Sequence, residues 1–178
     1  MNTSFYRVQL SRVFLMGLLA SLVALFGCDA KRIAKLEEGV STEADVRKQF
    51  GDPVDVVTAA DGSRTLEYPR QPEGWTNYFI TIGADGKMSA LRQVLSEPYF
   101  AKVKAGMDKA EIAKLLGRPA KKQSYAMKKD EEVWEWRYQA GGTANKVFNV
   151  TFDAAGKVIA AASADDPRDT QGGGPSSK

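Results

Sequence analysis

The sequence predicts an α+β protein built from two tandem helix–helix–strand–strand–strand units, each an antiparallel sheet covered by a helical hairpin. Three observations predict it. The chain repeats itself in order: "IAKLEEGV" (33–40) lies over "FAKVKAGM" (100–107), "VRKQFGDP" (46–53) over "IAKLLGRP" (112–119), and "YFITIGADGKM" (78–88) over "FNVTFDAAGKV" (148–158). Each copy opens with apolar residues at helical spacing. Each copy then passes into strict two-residue alternation, the mark of half-buried antiparallel strands. The offset between copies changes slightly along the chain, as small loop insertions require.

The elements follow in order. Residues 1–12 carry Arg7 and Arg12, and "VFLMGLLASLVALF" (13–26) runs without a charge. A positive start, a short apolar stretch and small residues at its exit are the layout of a secretory signal. The run is shorter than the roughly 20 apolar residues of a membrane span. The segment 1–27 is therefore expected to be a signal peptide. Its exit, "LFGC", resembles the lipobox of bacterial lipoproteins, with Leu25, Gly27 and Cys28 in place and Phe26 where a small residue is usual. That resemblance implies a diacylglyceryl group and an N-acyl chain, such as palmitate, on Cys28, which becomes the mature N-terminus. Several acyl chains anchor a protein stably where one does so only marginally. Two other readings stand beside it: an uncleaved anchor, and cleavage after Ala30 as an ordinary secreted protein.

Unit 1 spans 31–95. "RIAKLEEG" gives a short helix with Ile33 and Leu36 on one face and Gly39 as terminator. "STEADVRKQFG" starts a second at Ser41 or Thr42, with Glu43 and Asp45 in the first turn, where the helix dipole favours them. Val46 and Phe50 face the core, and Gly51 stops the helix before Pro53. "SRTLEY", "YFITI" and "MSALRQVL" are its strands, with "ADGK" as a tight turn. Unit 2 spans 99–164, joined near "SEP" (96–98). Asp108 caps, Glu111 completes a box-like pair, Ile112, Leu115 and Leu116 supply the apolar face, and Gly117 ends the helix. "VWEWRY", "FNVTF" and "VIAAAS" are its strands, with "AAGK" as the turn. The tail 165–178 is rich in Gly, Pro and Ser and is expected to be disordered.

"LEEGVSTEADVRKQFGDP" and "VKAGMDKAEIAKLLGRP", each followed by an aromatic strand and a "dGKv"-type turn, resemble the BamE-like family (also called SmpA/OmlA) of small Gram-negative envelope lipoproteins. A typical member has one copy of the unit, and here there are two. The doubled arrangement is also similar to the beta-lactamase inhibitory protein, whose concave sheet grips an enzyme. The family resemblance implies a non-enzymatic accessory role in outer-membrane β-barrel assembly, with envelope proteins, β-barrel assembly components among them, as partners. It implies a lipid-anchored protein facing the periplasm. The family favours the outer membrane, whereas Asp29, directly after Cys28, favours the inner one. No partner-binding residue is defined by the matched motifs. The alternative function is an inhibitor-like clamp on a periplasmic enzyme through an aromatic concave sheet face. A small-ligand or cell-wall binder would need a deep pocket between the units.

Candidate protein-binding residues come from two places. "VWEWRY" (133–138) puts Trp134, Trp136 and Tyr138 on one strand face. They read either as an aromatic binding stripe or as core beneath the second unit's helices. Trp75, in the Pro- and Gly-containing loop "PRQPEGWTNY" (69–78), reads either as an exposed anchor or as a lid over the sheet end. Lys121, Lys122, Lys128 and Lys129 read as a contact for anionic lipid or acidic peptidoglycan components, or as an edge that discourages aggregation. Glu67 and Glu135 align between the units and are expected in salt bridges.

Composition excludes several classes. Arg7 and Arg12 are two of 25 basic residues against 22 acidic ones, and no acidic residue precedes Cys28, so the rest of the chain is close to neutral. A nucleic-acid footprint needs a clustered basic face, and no nucleic-acid partner is expected. No histidine and one cysteine argue against a tetrahedral zinc site and remove Ser-His and Cys-His nucleophilic pairs. No carboxylate pair stands out for acid–base chemistry, and there is no phosphate-cradling glycine loop. No enzyme activity, metal, cofactor or small-molecule substrate is expected, apart from the lipid on Cys28.

Overall fold

The computed structural model describes residues 29–125 and 128–171. The expected signal peptide (1–27), Cys28 and residues 172–178 of the expected tail lie outside the described residues. The chain divides between Glu37 and Glu38. On the N-terminal side the described structure is one short helix, α1 (Asp29–Ile33). No described helix is long and apolar enough to cross a membrane.

From Glu38 onward the fold is α+β, with the internal duplication plain in its elements. The first repeat holds α2 (Glu43–Phe50), β1 (Asp55–Thr58), β2 (Arg64–Pro69), β3 (Asn77–Ile82) and β4 (Met88–Gln93). The second holds α3 (Glu97–Phe100), α4 (Lys109–Leu116), β5 (Lys121–Tyr125), β6 (Lys128–Ala140), β7 (Ala144–Phe152) and β8 (Val158–Asp165). Each set of strands forms an antiparallel sheet, β1-β2-β3-β4 and β5-β6-β7-β8. Each sheet thus has four strands where alternation predicts three. The added strands, β1 and β5, are edges whose residues "DVVT" and "KKQSY" carry no apolar–polar alternation. The chain does not lose order at residue 165. Asp166 is fully buried, and a short helix, α5 (Pro167–Gln171), follows it.

Local chemistry repeats with the fold. Thr42 and Asp45 form a capping box on α2, and Asp108 and Glu111 form one on α4. Such reciprocal bonds satisfy the open amides at a helix start. The amide of Gly39 donates to Met88 O, and that of Gly106 to Val158 O. A register shift falls at Thr81/Ile82 in one sheet and at Thr151/Phe152 in the other. At each helix end a ring on the second strand reaches the terminal glycine: Tyr68 Oη donates to Gly51 O at 3.1 Å, and Trp136 Nε1 donates to Gly117 O at 3.0 Å.

Packing places α4 between the two sheets. In the first repeat Val46 and Phe50 of α2 cover one face of the sheet, with the Phe50 ring 5.2 Å from Tyr68 and 5.6 Å from Tyr78. In the second, Ile112 and Leu116 of α4 cover Trp134, Trp136, Phe148, Val150 and Phe152. Phe100 of α3 stacks on Phe148 at 4.1 Å and meets Tyr138 at 4.7 Å. Phe79 points to the opposite side of the first sheet from Tyr78 and Ile80, and it packs onto this second core beside Ala113. One side of α4 therefore serves its own sheet and the other meets the back of the first.

Candidate protein-binding site

The aromatic stripe is interior. Trp134, Trp136 and Tyr138 are 5%, 0% and 1% exposed, so they form no open binding surface. Burial of each ring stabilises by about 2–3 kcal/mol, a large share of a net stability of about 5–15 kcal/mol. Laying them bare on a grip would leave the second repeat without a core.

Trp75 is half-buried, and its ring lies 5.0 Å from the Arg168 guanidinium. Arg168 is held by Asp166, whose carboxylate sits 3.1 Å from Arg168 Nη2 and 3.6 Å from Arg137 Nη2. Burial pushes the Asp166 carboxyl up, against the pull of Arg137. The loop carrying Trp75 thus lies against α5. Two further residues, silent in the sequence because their partners are distant, join the repeats. Asn77 is fully buried, and its Nδ2 donates to Leu116 O at 2.8 Å and Arg118 O at 2.9 Å. Glu67 Oε1 accepts from the Arg118 amide at 2.6 Å. Burial pushes the Glu67 carboxyl up; the Arg118 amide opposes this and neighbouring Asp55 adds to it. Glu67 thus holds backbone rather than a side-chain cation. Its counterpart Glu135 lies 3.9 Å from Arg137 Nε, a loose ion pair.

Between the repeats lies a groove of about 380 Å³. Asp55 and Val57 of β1, Thr65 and Glu67 of β2, and Phe79 of β3 form its sheet wall, while Ala110, Ala113 and Lys114 of α4 form the other. Small residues on α4 create the space: alanines at 110 and 113 stand where longer side chains would fill it. On its sheet wall Val57 is open to solvent, at 50% exposure. Asp55 and Glu67 on the sheet wall and Lys114 on the helix wall give the lining both signs of charge. Sequence reasoning misses this groove because β1 is too short to show a period.

Of the basic cluster, Lys121 and Lys122 lie in β5, and Lys122 Nζ sits 3.9 Å from the Trp134 ring centroid. The side chains of Lys128 and Lys129 lie outside the described residues. Among the described residues no group of three or more His, Cys, Asp or Glu side chains is arranged to hold a metal ion.

No protein-family model and no curated protein matches the sequence. Among solved structures, a DUF4309 family protein (YjgB) from Bacillus subtilis is 18% identical with a TM-score of 0.29, over 74% of this chain and 82% of that one. That remote likeness says nothing about function.

Proposed function

We propose that this chain is a non-enzymatic, lipid-anchored accessory protein of the Gram-negative envelope that binds other proteins during outer-membrane β-barrel assembly. Cys28 carries the anchor, and the repeats face the periplasm. The BamE-like resemblance of both repeats supports the assembly role and the outer membrane. The groove between β1–β3 and α4, with exposed Val57 on its sheet wall, is the observation that carries the binding role. It suits an extended partner segment that lays an apolar side chain on Val57 and points a basic one at Asp55 and Glu67. The clamp alternative is weakened, because the stripe it needs is buried. A small cationic ligand in the same groove is the second reading, favoured by a volume within the usual range of about 300–1,000 Å³ for ligand pockets.

The test is affinity capture from detergent-solubilised membranes with the tagged full chain. The parent is expected to retain β-barrel assembly components. Val57→Arg, which puts a long cation into the groove at an exposed position, is expected to lose them, and Trp75→Ala to keep them. A parent capture lacking every assembly component removes the assembly role. A small cation that binds the parent and is lost in Val57→Arg, without protein capture, selects the second reading.

A further inference from the structure

The described residues form four sheet edges, and three are blunted. β1 is four residues long, and Asp55 Oδ1 takes its Val56 amide at 2.8 Å. On β4, Glu38 Oε1 takes the Leu91 amide at 3.0 Å and pairs with Arg92 Nη1 at 2.8 Å. β5 opens with Lys121 and Lys122. Charges and short strands are how natural sheets avoid edge-to-edge pairing.

β8 has none of this. It runs eight residues, Val158–Asp165, with no charge before Asp165, and every residue after Val158 is exposed. Val158 itself is engaged by Gly106 and Met107, so the open run begins at Ile159. Comparison of the repeats shows what is missing. Ala161 sits opposite Val150 as Leu91 sits opposite Ile80, which turns its amide outward in the same way. The residue matching Glu38 is Ala105, and the residue matching Arg92 is Ala162. The cap present on the first sheet has been replaced, residue for residue, by alanine on the second.

We propose that β8 is an interface for a second copy of this chain, paired antiparallel, β8 to β8, about a twofold axis near Ala162. The occupant follows from charge and size. Lys157 precedes the strand and Asp165 ends it; their side chains are 48% and 84% exposed, and each sits in a surface ion pair, Lys157 at 3.6 Å from Asp108 and Asp165 at 2.9 Å from Lys146, that leaves it open to a further charge. Antiparallel pairing brings the basic start of each strand towards the acidic end of the other, whereas parallel pairing sets Asp165 against Asp165. Ala160, Ala161, Ala162 and Ala164 let two identical strands approach closely. The contact uses the same patch on both copies, so it closes at a dimer. The result is a continuous eight-stranded sheet.

The test places a photoreactive benzoylphenylalanine at position 160 of the full chain in cells and, separately, at position 56 on the β1 edge. Irradiation is expected to give a species of twice the chain mass from position 160, containing peptides of this chain alone, and none from position 56. Ala105→Glu, which transplants the Glu38 cap, and Ala162→Lys, which charges the edge, are each expected to abolish that species without moving the melting temperature of the monomer. Absence of the species in the parent, capture of a different protein from position 160, or persistence in both variants overturns the proposal.

Discussion

Gln71 and Arg137 form a two-point pair: Gln71 Nε2 donates to Arg137 O at 2.9 Å, and the Arg137 amide donates to Gln71 Oε1 at 3.2 Å. β5 stops covering β6 at Lys121, opposite Glu135, and Ala120 makes the next bond to Glu135 O. Arg137 lies beyond that point with its main chain open. A side-chain amide from the first repeat stands in for the missing strand residue of the second. Gln71→Ala is therefore expected to cost about 1–2 kcal/mol in urea denaturation, the scale of one or two net hydrogen bonds. Gln71→Glu is expected to be no better, since a carboxylate does not donate to Arg137 O. A Gln71→Glu variant as stable as the parent contradicts this pairing.

Gly51 and Gly117 occupy the same place in the two repeats but different surroundings. Their φ/ψ values are 83°/−162° and 71°/−164°, a region that costs a side chain about 1–3 kcal/mol. A Cβ on Gly51 meets nothing within 4 Å, whereas one on Gly117 comes within 2.8 Å of Glu67 Oε1 and 3.2 Å of Asn77 Nδ2. Gly117→Ala is expected to destabilise clearly more than Gly51→Ala, because it also wedges the repeats apart. Equal midpoints in parallel denaturation curves contradict the close contact.

The three tryptophans differ in access. Acrylamide quenching of the native protein is expected to reach Trp75 and to spare Trp134 and Trp136. Trp75→Phe is expected to remove most of the quenchable emission. A quenchable fraction that survives Trp75→Phe places one of the core rings at the surface.

Much of this was legible in the sequence, and the residues explain where legibility ended. The capping pair Asp108/Glu111, the terminators Gly51 and Gly117 and the turns at Gly86 and Gly156 are local signals, readable over a few residues. Alternation in "YFITI" and "FNVTF" showed which face was buried. β1 and β5 escaped because four or five residues without alternation resemble loop. The helix expected over "RIAKLEEG" (32–39) is not formed at that length, since α1 ends at Ile33. Gln71 and Asn77 join the repeats through partners 66 and about 40 residues away, and Asp166 reaches Arg137 as well as nearby Arg168, so their roles do not show in the local sequence. The groove was hidden for the same reason, since its two walls come from different repeats.

Acid and base act on different carboxylates. Hydrogen bonds from the Thr42 and Glu111 amides hold Asp45 and Asp108 below their ordinary values, so their contribution is present above the unfolded carboxylate range and is lost as pH falls through the folded values. Glu67 has the opposite sign. Its folded value is raised, the folded state binds the proton more tightly, and stability falls as pH rises from the ordinary glutamate value through the raised one. Glu67→Gln abolishes that loss. The melting temperature of Glu67→Gln relative to the parent is expected to be higher at pH 7 than at pH 4, and a difference independent of pH contradicts the buried setting of Glu67.

The envelope role stands or falls on the anchor at Cys28, because the class of partner follows from where the repeats are held. The direct measurement is incorporation of a clickable palmitate analogue into the full chain in a Gram-negative host, followed by membrane fractionation. The parent is expected to take up label and sediment with membranes, and Cys28→Ser to do neither. An unlabelled parent, or a Cys28→Ser chain labelled and sedimenting like the parent, contradicts the lipid-anchored account.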